Sequence, residues 1–164
     1  MQIKSSHLLF GLALALATTA ALAINVGIPK FLRAPSAQLG SPKVIVSWTE
    51  IGLGSTDTVN YVATATAGAR YQCINRGGNC PATSNKQDVL ANLSVGGTFS
   101  VDKNGRVTGS MNIPAPPATL VCPGKQVVDV FSVVFTDITL TDTTNGVSSP
   151  TNPSALSYNV SECP

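Results

Sequence analysis

Histidine is all but missing from this 164-residue chain, the single copy being His7. Aromatic residues make up 5% of it and charged residues 11%. Each shortage excludes something. Without a histidine beyond residue 7, a domain built from the rest of the chain can assemble neither a Ser-His-Asp nor a Cys-His catalytic arrangement. It can offer no imidazole to zinc either. The basic residues are scattered singly, so nothing provides the dense positive field that nucleic acid or an anionic membrane needs. Sparse aromatics leave no row of rings on which a sugar polymer would stack.

What is present begins with a leader. Lys4 precedes an apolar run from Leu8 to Leu16, and small residues lead to Ala21-Leu22-Ala23. This pattern predicts a secretory signal peptide over 1–23, its run too short for a membrane span. Cleavage after Ala23 would leave 141 residues and remove His7. Residues 24–42, punctuated by Pro29, Pro35 and Pro42, show no sustained period and read as a flexible N-terminal segment. Residues 43–164 read as a single domain. Export also frames the four cysteines, Cys73, Cys80, Cys122 and Cys163, because an even number outside the cell argues for two disulfides. Spacing leaves the pairing open. Cys73–Cys80 would close a tight loop, whereas Cys73–Cys122 with Cys80–Cys163 would close longer ones. Asn92-Leu93-Ser94 and Asn159-Val160-Ser161 fit the N-glycosylation acceptor pattern, with Asn92 and Asn159 as the acceptors.

From Val44 onwards a period of two recurs. Val44, Val46 and Trp48 share one face, and so do Val59, Tyr61, Ala63 and Ala65. Val89, Ala91, Leu93 and Val95 form a third set, and Val107, Gly109, Met111 and Ile113 a fourth. Phe131, Val133 and Phe135 follow, then Ile138 with Leu140, and Leu156, Tyr158 and Val160 close the chain. Each set suits a half-buried strand. Asp102-Lys103-Asn104-Gly105 predicts a hairpin, and Thr144-Asn145-Gly146 another reversal. A short helix over 85–90 is the one departure the pattern allows. The prediction is an all-β, antiparallel β-sandwich of seven to eight strands with immunoglobulin-like character.

Candidate chemistry is thin. Glycoside hydrolysis needs two carboxylates facing one cleft, one with a raised pKa. The acids read as solvated residues of strand edges and turns, and Asp137 and Asp142 fall on opposite faces of one strand. Asp102-x-Asn104-Gly105 echoes the start of a calcium loop but lacks the distal ligands. No cofactor or metal site is expected, and no enzyme activity. The densest local signal is Asn75-Arg76-Gly77-Gly78-Asn79 between Cys73 and Cys80. Its glycines permit a tight loop, which reads either as a stapled connection between strands or as a projection presenting Asn75, Arg76 and Asn79 to a partner.

Tyr71-x-Cys73-x-Asn75-x-Gly77-Gly78-Asn79-x-Pro81 resembles a segment of small secreted proteins of unknown function from filamentous fungi and soil actinobacteria. So do Lys103 to Ser110, Cys122-Pro123-Gly124 and Val134 to Asp142, and the resemblance spans about Val44 to Val147. It implies a secreted β-sandwich in which Cys73 pairs with Cys122; Cys80–Cys163 would be an addition to that pattern. It implies no activity and brings no catalytic residues. The expectation is therefore a secreted, extracellular, non-enzymatic interaction protein, an effector or elicitor whose partner is an unknown extracellular protein. The alternative is a cell-wall or surface polysaccharide-binding protein, and a carboxylate-dependent glycosidase stands third.

Overall fold

The computed structural model describes residues 27–79, 81 and 85–160. These form two antiparallel sheets packed face to face, with no helix. The first sheet is built on β3 (Lys43–Ile51). β6 (Arg106–Pro114) pairs along one side of it, and β1 (Lys30–Phe31) and β2 (Ser36–Leu39) pair in tandem along the other. The second is built on β4 (Thr58–Ile74), flanked by β5 (Lys86–Ser100) and β7 (Val127–Asp142). The far side of β7 carries β8 (Val147–Pro150) and β9 (Leu156–Asn159).

The period-two sets become the core. Val44, Val46 and Trp48 from β3 and Val59, Tyr61, Ala63 and Ala65 from β4 all point between the sheets. So do Val107, Met111 and Ile113 from β6, and Val133, Phe135, Ile138 and Leu140 from β7. Fully burying one such branched or aromatic side chain contributes roughly 1.5–3 kcal/mol. The small residues have their own reason. A Cβ at Gly109 would come within 2.7 Å of the Trp48 ring and 2.9 Å of Phe99, so glycine makes room for the rings.

In β7 the inward positions switch from odd (Val133, Phe135) to even (Ile138, Leu140). The ladder records the cause. Thr64 pairs with Thr139 but Thr66 with Thr136, so β7 holds one extra residue here; a second shift, where Arg70 pairs with Ser132 but Tyr71 with Val130, adds another at Phe131. Asp137 lies within the first of these bulges at φ 54°, exposed to solvent. Asp142 ends buried, so Asp137 and Asp142 face apart as expected.

Three expectations need correction. Residues 24–42 are not a featureless leader: β1 and β2 lie there, bringing the described strands to nine. Two and four residues are too few to display a period, and the flanking prolines hide them. Residues 86–90 are strand, not helix, since they continue the unbroken ladder to β4. The reversal at Asp102–Gly105 is tight, with Gly105 N–H donating to Asp102 O at 2.9 Å, but it does not join ladder partners. It carries the chain from β5 in one sheet to β6 in the other.

Cys73 and Cys122 form a disulfide with a Cα–Cα distance of 5.6 Å. It ties the end of β4 to the segment joining β6 and β7. Cys80 and Cys163, and with them the expected second bridge, lie outside the described residues. No helix among the described residues is long and apolar enough to cross a membrane.

Candidate functional site

The loop singled out in the sequence leaves the end of β4. Its base is held twice, by the disulfide of buried Cys73 and by Cys73 N–H donating to Asn85 O at 2.9 Å. Gly78 N–H donates to Asn75 O at 2.8 Å and Asn75 N–H to Asn79 O at 3.0 Å, so 75–79 closes on itself. Gly78 has φ 76°, which only glycine adopts without strain. Asn75, Arg76 and Asn79 are all exposed on this turn. The structure therefore brings Asn75, Arg76 and Asn79 together on one anchored projection. The two acceptor asparagines are elsewhere. Asn92 is exposed in the middle of β5, where it accepts a hydrogen bond from Thr66 Oγ1 at 3.1 Å. Asn159 is exposed on β9, and Ser161 of its tripeptide is outside the described residues.

A groove of about 890 Å³ is lined by Leu32, Arg33, Ser47, Thr49, Thr108 and Ser110, among others. Thr49 and Thr108 bond across the β3–β6 ladder at 3.2 Å. Trp48 and Phe99 also line it, but they meet edge to face and form no flat platform. Trp48, Tyr61 and Phe99 pack on one another inside, with ring centroids 4.8, 4.9 and 5.6 Å apart.

One arrangement was not anticipated. Glu50 extends the inward set of β3 and Asp142 that of β7, and both are fully buried. Tyr61, paired with Asp142 in the ladder, completes the group. Asp142 Oδ1 accepts the backbone N–H groups of Thr144 (2.8 Å) and Asn145 (3.0 Å), and Oδ2 accepts from Asn145 Nδ2 (2.6 Å). Glu50 is less well served. Neither of its oxygens makes a well-formed hydrogen bond, and nor do the Tyr61 hydroxyl and the Trp48 indole N–H. Burial pushes the Glu50 carboxyl up from 4.5 to about 7; the Tyr61 hydroxyl draws it partly back, and Asp142 adds to the rise. Burial, with Glu50 nearby, also raises the Tyr61 phenol. Reading all acids as solvated was therefore wrong for these two. Their sequence signal was parity: Glu50 falls in step with Val44, Val46 and Trp48, and Asp142 with Ile138 and Leu140.

Two carboxyls, one with a raised pKa, are the raw material of glycoside hydrolysis. Here both are sealed from solvent, and neither lines the groove.

No family model and no curated protein matches the chain. Among solved structures it is similar to Spo0M, a sporulation control protein from Bacillus subtilis, at 13% identity and a TM-score of 0.24. The match covers 80% of this chain and 46% of that one, so the chain spans under half of that protein's length.

Proposed function

We propose that this chain is a secreted, non-enzymatic interaction module, an effector or elicitor that contacts an extracellular partner through the loop Asn75–Asn79. The observation that carries the reading is the anchoring of that loop. A projection fixed by a disulfide and by its own backbone bonds loses little entropy on binding, so its polar groups add affinity. Among the described residues no ion pair engages Arg76, which leaves its guanidinium for a carboxylate or carbonyl on a partner.

The test is affinity capture from extracellular fluid with the mature protein and with the double variant Arg76→Ala/Asn79→Ala. Capture should fall at least roughly tenfold, as for loss of a binding hot spot, while the thermal midpoint moves by less than about 2 °C. Equal capture by both proteins refutes the role of the loop. A parallel loss of stability makes the loop structural.

The groove supports a second reading, binding of cell-wall or surface polysaccharide, because Ser47, Thr49, Thr108 and Ser110 bring hydroxyls to its lining. Pull-down on insoluble chitin, glucan and cellulose separates this from the first. Retention that survives the loop double variant favours the groove.

A further inference from the structure

The two sides of the sandwich are finished differently. On one side β8 and β9 cover β7, and Ser36 of β2 bridges to Asn152, so the sheets are joined. On the other side runs β5. It pairs with β4 over all fifteen residues, Lys86 to Ser100, without a register shift. Among the described residues no strand pairs with its opposite edge. The segment after β6 reaches over only near its start, where Thr119 N–H donates to Gln87 Oε1 at 3.0 Å.

Natural edge strands are blunted by charge, proline, bulges or short length. β5 has none of these between Val89 and Ser100, a stretch without a charged residue or proline. Its inward residues Val89, Leu93 and Phe99 pack on the core but stay only partly buried, and Leu90 on its outer face is 79% exposed. An extended backbone is the partner that satisfies a row of free N–H and C=O groups.

We propose that β5 is the joint of a symmetric dimer, in which a second copy of the chain adds its own β5 antiparallel to this edge. Self-complementarity selects the copy over other extended chains. About a two-fold axis perpendicular to the sheet, odd residues can face only odd residues, so the apolar face of Val89, Leu93, Val95 and Phe99 continues from one copy into the next. Charge agrees. With the axis at Ser94, Lys86 of each copy lies opposite Asp102 of the other, and no like charges face each other along the strand.

Sedimentation velocity of the mature protein over a concentration series tests this, with Ser94→Lys and Ser94→Asp as variants at an exposed position. Each variant alone should dimerise roughly five- to tenfold more weakly, because like charges meet at the axis. An equimolar mixture of the two should restore dimerisation. Amide hydrogens of β5 should gain exchange protection as wild-type concentration rises, a readout independent of the variants. A protein that stays monomeric throughout overturns the proposal, and so does a dimer that resists both substitutions without protecting β5.

Discussion

Replacing Glu50 with Gln keeps the shape of the side chain but removes its acid, and so isolates what a carboxyl between two sheets costs. In the unfolded chain this group titrates near 4.5; in the folded protein, near 7. Below about pH 4.5 both states hold the proton and the difference has no effect. As pH rises from there towards 7, the unfolded chain releases the proton and the folded one does not, so stability falls. Above about 7 the loss is complete, and at ~1.4 kcal/mol per pH unit it amounts to about 3 kcal/mol. Asp88 works in the opposite sense, held below its ordinary 3.8 by its hydrogen bond to Arg70, but its window lies at lower pH and does not overlap. The assay is denaturant unfolding at a series of pH values, followed by the fluorescence of Trp48, the chain's single tryptophan, which packs beside Tyr61. Wild type should lose stability between about pH 4.5 and 7, and Glu50→Gln should lose much less and be the more stable protein at neutral pH. Equal slopes for the two proteins, or a wild type that gains stability over that range, would refute the reasoning.

Two further outcomes follow from packing and covalent structure. Cys73→Ala/Cys122→Ala opens a loop closed across 49 residues; on the chain-entropy model this costs ~4 kcal/mol, read as a fall of roughly 10–15 °C in thermal midpoint. Gly109→Ala drives a methyl into the Trp48 and Phe99 rings at 2.7 and 2.9 Å; a loss of ~1–3 kcal/mol is expected, with an altered tryptophan emission from the displaced ring.

The sheets were legible in the sequence because one face of each long strand is buried, which forces alternation in β3, β4, β6 and β7. The same rule could have located the buried acids, since Glu50 and Asp142 stand in step with the apolar residues before them. They were missed because residue type was weighed above position: carboxylates are seldom buried without a partner. β1 and β2 were hidden by their brevity. The role of Asp102–Gly105 was hidden for another reason. The same turn residues serve whether the following strand folds back on its predecessor or crosses to the opposite sheet, and only the long-range pairing of β5 with β4 decides. The loop at Asn75–Asn79 was visible through its glycines and flanking cysteines, whereas what anchors it, Cys122, lies far along the chain.

The bulge at Asp137 resets the phase of β7, as a frameshift does a message. Because that residue is the extra one, excising it would leave Phe135 and Ile138 two apart, so Ile138 and Leu140 would stay inward on a regular strand. Flattening the bulge with every residue kept would do the opposite, turning Ile138 and Leu140 out to water and Thr139 and Thr141 inward.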